Sequence, residues 1–318
     1  MTTHAFDQTR WRAREQISAP AEATDAMPEI LYVMGTGRSG TTILEVLLTN
    51  DDGITGTGEL KHIFRDAFVR DLQCSCGRSG HQCELWARVL HTSGWSREDC
   101  ETLRATVEQL EGHANFPSVY LGRTNQQLLD RYATASTTLF RSIARIMGSA
   151  VVVDSSKYPA RALLLERLYP GKVKVLCITR SAQGLIAAFQ KKNDGEQRPK
   201  GRIAVIVYFL YVLLCMRLVR LRLRDRCHVV RFEDLNRDPV RSLEEIERWS
   251  GYRLDTARAK TSSRDWFEVG HIMTGNRLRK KGRVKFDPSA GKTAAAQAKS
   301  IPGWLSSWLE GYRKLLGF

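Results

Sequence analysis

The segment EILYVMGTGRSGTTILEVLLTN, residues 29–50, constrains this chain more than any other. It joins a short apolar run, a loop with glycines at 35, 37 and 40, and a run with apolar residues at helical spacing. A loop of this kind between strand and helix gathers backbone amides and the positive end of the helix around an anion. Gly35 and Gly40 permit the tight path. Thr36, Gly37, Arg38, Ser39, Thr41 and Thr42 complete the candidate cradle, and the threonines add hydroxyl donors. A triphosphate-binding loop of the form G-x-x-x-x-G-K-[ST] carries lysine after its second glycine, where this chain has Thr41. Arg38 supplies the cation instead. A guanidinium forks two oxygens of one phosphate, whereas an ammonium is a mobile point charge. With no lysine for the β- and γ-phosphates and no acidic pair nearby for Mg²⁺, the expected ligand is not the tail of ATP.

Four segments read as buried strands: 29–34, 150–154, 173–179 and 227–232. They are short, apolar and β-branched, and helical patterns at 41–50, 160–170 and 242–251 separate them. Continuous apolar strands alternating with helices imply a parallel sheet covered on both faces. Residues 1–27 read as a loosely held arm, and 28–318 as one domain with an α-rich insertion at 60–148. Residues 258–300 are polar and basic and read as a long loop or lid. The apolar run 203–216 is shorter than a standard membrane span and reads as a buried helix whose basic end leaves the core. The N-terminus has no apolar secretory core, and seven cysteines is an odd number, so a reducing, cytoplasmic location with mostly free thiols is expected. Cys177 and Cys215, in apolar runs, read as core residues. The net charge of +15 attracts anions without naming one.

Further segments carry chemistry. VDSSK, 153–157, ends a strand on the edge where α/β proteins bind ligands. Asp154 there can orient a basic partner, Lys157 and Arg161 can meet an anion, and Ser155 or Ser156 can cap the following helix. GTGELKHIF, 56–64, holds Glu59 and His62, two candidate bases. Arg180 follows the strand VKVLCIT, 173–179. HIMTGNRLR, 271–279, offers a Gly275-Asn276 turn and Arg279. CSCGRSGHQC, 74–83, holds Cys74, Cys76, His81 and Cys83. Three thiolates and an imidazole suit zinc, but the C-x-C-x₄-H-x-C spacing is tighter than common zinc spacings. Local packing, a disulfide under oxidation, or support for a pocket is the expected role.

RSGTT at 38–42, GELK at 58–61, DSSK at 154–157, RSAQG at 180–184, RFEDLNRDP at 231–239 and HIMTGNRLR resemble, in order, the segments of sulfotransferases that use 3′-phosphoadenosine 5′-phosphosulfate (PAPS). The bacterial relatives of the tyrosylprotein and carbohydrate sulfotransferases are the most similar. The resemblance implies an α/β fold of the P-loop NTPase-like, three-layer kind, with a central parallel sheet and helices on both faces. It implies transfer of a sulfuryl group from PAPS to a hydroxyl-bearing acceptor: a carbohydrate or other alcohol, and an acidic saccharide given the basic surface. Gly35 to Thr42 would hold the 5′-phosphosulfate, and Arg180 and Arg279 the 3′-phosphate. Glu59 would act as base, with Lys157 and Arg38 supporting transfer. Glu233 and Asp234 would be structural, capping the next helix. The family needs no metal. The pattern departs at position 188, where Ala188 replaces a serine expected at the 3′-phosphate, and Ser181 is the candidate substitute. Two other readings stay open: a P-loop kinase of a small molecule, and a basic protein of nucleic-acid or membrane surfaces. No aromatic-basic interleaving supports nucleic acid, and a peripheral membrane contact is left in play.

Overall fold

The computed structural model describes residues 26–190, 201–275, 280–287 and 301–318. Most of the expected N-terminal arm lies outside these residues, as does Arg279. Five parallel strands form the central sheet: β1 (Glu29–Gly35), β2 (Ile54–Gly56), β3 (Val151–Lys157), β4 (Val173–Thr179) and β5 (Cys227–Arg231). Their order is β2-β3-β1-β4-β5, so the glycine loop that follows β1 leaves the middle of the sheet. The chain changes direction of winding there, and the crevice at such a switch point is where open α/β sheets bind ligands.

Alternation along β1 splits the core in two. Ile30, Tyr32 and Met34 face a cluster that includes Trp86, Phe140 and Met216, while Leu31 and Val33 face one that includes Leu44, Leu47, Leu243 and Ile246. Two covered faces explain why these strands read as unbroken apolar runs. On the first face lie α2 (Glu84–Ser93), α3 (Arg97–Glu111), α4 (Phe116–Tyr120), α5 (Gln126–Met147), α6 (Pro159–Leu168), α7 (Ala182–Gln190) and α8 (Arg202–Leu223). On the second lie α1 (Thr41–Leu48), α10 (Pro239–Ser250) and α11 (Asp255–Ser263), with α9 (Phe232–Arg237) at the end of β5. The structure is therefore the three-layer α/β arrangement expected, and helices occupy most of residues 84–147.

Three readings are corrected. The 258–300 stretch is not one loop: α11 runs into it, and β6 (Trp266–Glu268) pairs antiparallel with β7 (Arg283–Lys285). Phe267 and Val284 pack into the second cluster, a signal that period-2 reading of so short a strand cannot separate from loop. The 203–216 run belongs to a 22-residue helix that is only half buried. Val205, Phe209, Val212 and Met216 are buried, but Ile203, Val207, Leu214 and Leu221 are exposed. By length and composition alone, Arg202–Arg226 could also cross a membrane. Finally, β3 continues through Lys157 and Ser155 and Ser156 cap no helix. The N-cap of α6 is Tyr158, with Pro159 in the first turn, where a missing amide costs nothing.

Beneath the sheet's first face lies a buried charge network. The Arg161 guanidinium donates from Nε to Asp154 at 2.6 Å and from Nη1 to Glu111 and to the Tyr132 hydroxyl. Arg161, expected at the anion site, is thus turned away from it and ties β3 to α3 and α5. Replacing it with methionine leaves Asp154 buried without its cation and Glu111 with only Lys61, 3.8 Å away. We expect Arg161→Met to lower the unfolding free energy in urea by about 3–5 kcal/mol.

Candidate active site

After β1 the chain turns through Gly35–Gly40 and enters α1. Gly40 is the helix N-cap with φ 97°, a left-handed conformation that glycine adopts without steric cost. A side chain here would also strike the Phe232 ring, 2.4 Å from a Cβ placed on Gly40. Ser39 is fully buried and its hydroxyl donates to the Thr36 carbonyl at 2.7 Å. The Gly37 amide donates to the Tyr208 hydroxyl at 2.8 Å, so α8 buttresses the loop from the far side. Thr36 Oγ1 is buried and, among the described residues, has no hydrogen-bond partner. The first turn of α1, with Thr41 and Thr42, points its amides out of the helix end. This cradle fits an oxyanion: amides, a waiting hydroxyl and a helix N-terminus converge on one spot.

Arg180 stands at the end of β4 beside the same loop. Its Nη1 donates to the Arg38 carbonyl at 3.1 Å, and its guanidinium lies 4.5 Å from the centre of the Phe232 ring. Burial pushes its pKa down while Glu233 opposes that. Among the described residues no carboxylate forms an ion pair with it, so a buried cation faces the crevice ready for an anion. The Ser181 hydroxyl accepts from the Gly184 amide at 3.2 Å and so caps α7, which leaves its O–H as a donor. Glu233 accepts from the Ser181 amide at 2.8 Å, while α10 is capped by Asp238, not by Glu233 or Asp234. Asp234 pairs with Arg237.

The catalytic candidates meet on the opposite side of the loop. Glu59 forms an ion pair with Lys157, and His62 Nε2 lies 3.9 Å from the other Glu59 oxygen. Burial pushes the His62 pKa down, so the imidazole is neutral near pH 7. Lys157 reaches Glu59 because β3 bulges against β1 and Lys157 takes φ 78°, a strained setting for a side chain of this type. Thr274 donates to the Glu59 carbonyl at 2.9 Å, and the neighbouring Gly275 backs onto Thr42 and Glu59. Residues 271–275 therefore lie across the site as a strap. Of the expected residues, the structure brings Gly35–Thr42, Glu59, Lys157 and Arg180 together; Arg279 lies outside the described residues.

The residue that sequence reading missed is Glu45, in α1. It is fully buried, and its Oε1 accepts from the amides of Thr57 at 2.8 Å and Gly58 at 2.6 Å, while Oε2 accepts from the Ser155 hydroxyl. It fixes the turn that presents Glu59. A glutamate among leucines in ILEVLL breaks the apolar pattern, and that break was the available signal.

Residues 28–256 match the sequence profile of the Sulfotransferase family. The chain belongs to this family. It is a sulfotransferase, an enzyme of sulfuryl transfer. Among solved structures, it is similar to the sulfotransferase domain from the curacin biosynthetic pathway, at 17% identity and TM-score 0.50, over 92% of this chain and 98% of that one. The sulfotransferase domain of the Synechococcus PCC 7002 olefin synthase is 18% identical with TM-score 0.47, over 96% and 99%. A sulfotransferase from Mycobacterium avium is 10% identical with TM-score 0.46, over 86% and 76%. No curated protein matches this sulfotransferase.

Burial pushes the Glu45 pKa from 4.5 up to about 7, against the pull of its three hydrogen bonds. A carboxyl raised on folding stabilises below its unfolded pKa, and that contribution is lost as pH rises through about 7. The melting temperature of the sulfotransferase should therefore carry a downward component between pH 4.5 and 7. In Glu45→Gln, whose amide titrates nowhere in this range, the component should vanish; identical pH profiles for the two proteins would refute it.

Proposed function

We propose that this sulfotransferase moves the sulfuryl group of PAPS to a hydroxyl acceptor, with Glu59 as general base. The observation that carries the reading is the pairing of two cationic anion sites on one crevice edge: the loop with Arg38, and Arg180 beside it. A nucleotide with phosphates at two ends needs two such sites, whereas a triphosphate needs one site with a lysine and a metal. In this reading the 5′-phosphosulfate sits in Gly35–Thr42 and takes up the buried Thr36 hydroxyl. Arg180 meets the 3′-phosphate, and Arg279 is proposed to join it. Once donor occupies the loop, Lys157 leaves the Glu59 carboxylate for the sulfonate and the developing leaving-group charge. Glu59 is then free to take the acceptor proton as the oxygen attacks in line. Neutral His62 is its neighbour and the alternative base.

For the acceptor we propose a carbohydrate or similar alcohol, acidic saccharides included. The support is the net charge of +15, which favours an anionic chain. On the Glu59 side His62, Tyr158 and His113 supply polar ring edges, the Tyr158 faces being covered by His113 at 4.5 Å and Lys61 at 4.3 Å. A peripheral membrane contact stays within the proposal through exposed Ile203, Val207, Trp304 and Trp308.

Two measurements test this. In thermal-shift titration, PAPS and its 3′,5′-bisphosphate product should stabilise the protein far more than adenosine 5′-phosphate. Arg180→Ala should erase that difference. Selective stabilisation by ATP with Mg²⁺ would instead favour a kinase. With labelled PAPS and a panel of sugar, phenol, lipid and peptide acceptors, Glu59→Gln should lower kcat by about 10²–10⁴-fold. Undiminished turnover would remove Glu59 from the role of base.

A further inference from the structure

The cysteines of residues 74–83 find a partner that sequence spacing did not suggest. His81 is not it: its Nε2 lies 2.8 Å from the Phe68 carbonyl oxygen. The imidazole that comes to them is His271, 188 positions from Cys83, whose Sγ lies 3.2 Å from His271 Nδ1. Cys83 Sγ is 3.6 Å from Cys74 Sγ and 3.7 Å from Cys76 Sγ. One ligand atom from each of Cys74, Cys76, Cys83 and His271 lies within 4.8 Å of the others. All three thiols are free.

These separations decide between chemistries. A disulfide would draw two sulfurs to about 2 Å. Hydrophobic packing alone has no reason to gather three sulfurs around one imidazole nitrogen. Four ligands at tetrahedral zinc, with Zn–S about 2.3 Å, are separated along each S···S edge by about 3.8 Å. The observed sulfur pairs are close to that edge.

The backbone around the sulfurs also suits thiolates. Gln73 and Ser79 bridge antiparallel, closing a tight knuckle in which the Gly77 amide donates to the Cys74 carbonyl at 2.9 Å. The Cys76 amide donates to the Cys74 sulfur and the Arg78 amide to the Cys76 sulfur. Cys83 is the N-cap of α2, and the Trp86 amide in the first turn donates to its sulfur. Amides and a helix N-terminus aimed at sulfur stabilise its charged form, the form a metal binds.

We propose that Cys74, Cys76, Cys83 and His271 bind one structural zinc ion. Three thiolates and one imidazole in tetrahedral array are the donor set of zinc, and four protein ligands leave no open position for catalysis. Cys76 is exposed and, with His271, borders a cleft of about 670 Å³, which gives the metal a way in. The ion joins two distant parts of the chain. On one side is the knuckle that precedes α2. On the other is the strap 271–275, already held there by Ser75 N to the Ile272 carbonyl at 3.0 Å and Trp86 Nε1 to the His271 carbonyl at 2.8 Å. Three residues beyond His271, Thr274 bonds the Glu59 backbone. Zinc thus fixes the strap over the catalytic carboxylate, and this last consequence, unlike the metal site itself, rests on the proposed role of Glu59.

The test uses the full chain, expressed with zinc sulfate in the medium and purified without a metal-binding tag. Plasma mass spectrometry should find about one zinc per chain, and denaturation with chelator should release seven titratable thiols. Cobalt(II) in place of zinc should give the sulfur-to-metal charge-transfer bands of a tetrahedral thiolate site. Cys76→Ser alters an exposed ligand outside the core and should weaken zinc retention against a chromophoric chelator by at least about tenfold. Cys227→Ser, outside the cluster, should not. The proposal is overturned by metal-free protein with seven free thiols, by two fewer thiols and no metal, which is the disulfide, or by full zinc retention in Cys76→Ser. The cobalt spectrum decides the matter without any variant.

Discussion

One buried carboxylate sets the geometry of the catalytic edge. Glu45 lies in the helix that receives the phosphate loop, and its oxygens hold two amides of the β2 turn and a hydroxyl of β3. Three chain segments that share no local sequence are thereby locked at fixed offsets. One side chain thus ties the helix after the glycine loop, the turn that carries Glu59 and the strand that carries Lys157. Each oxygen is met by donors, yet burial still raises the pKa to about 7, so those donors offset only part of the cost of burying the charge. The lost freedom of those groups is offset because the same bonds serve the site and the fold.

The second organising element is the pair of acids around Arg161. It lies under the sheet, on the face opposite α1, and binds β3 to the helices of residues 84–147. Buried pairs of this kind add little net stability, but they penalise every arrangement in which the partners fail to meet. Their value to an enzyme with a helical insertion is register. Tyr132 and Glu111 can engage Arg161 only when α3 and α5 sit at one height against β3.

Much of this was legible in the sequence, and the divide has a physical cause. The strand, glycine loop and helix at 29–50 could be read because local chemistry dictates them: positive φ, apolar runs and helix ends leave marks on neighbouring residues. Glu59, Lys157 and Arg180 could be singled out because each lies at or just beyond the end of a parallel strand. Arg161 was misjudged since one helical turn beyond Lys157 can face the core or the crevice, and only α3 decides which. Glu45 escaped notice because its partners are 12, 13 and 110 positions away. His271 escaped for the same reason, and His81 stood in for it because spacing reveals neighbours in sequence, not in space. The short β6 and β7 gave too few residues for a period to show.

The Phe232 ring has a consequence of its own. It forbids a side chain at Gly40 on one side and stacks under the Arg180 guanidinium on the other. The Gly40 turn and the Arg180 cation therefore share one packing unit, while Arg180 also touches the loop directly through the Arg38 carbonyl. A change at position 232 loosens both at once. Two polar groups that charge alone would leave independent are coupled through a residue that carries no charge.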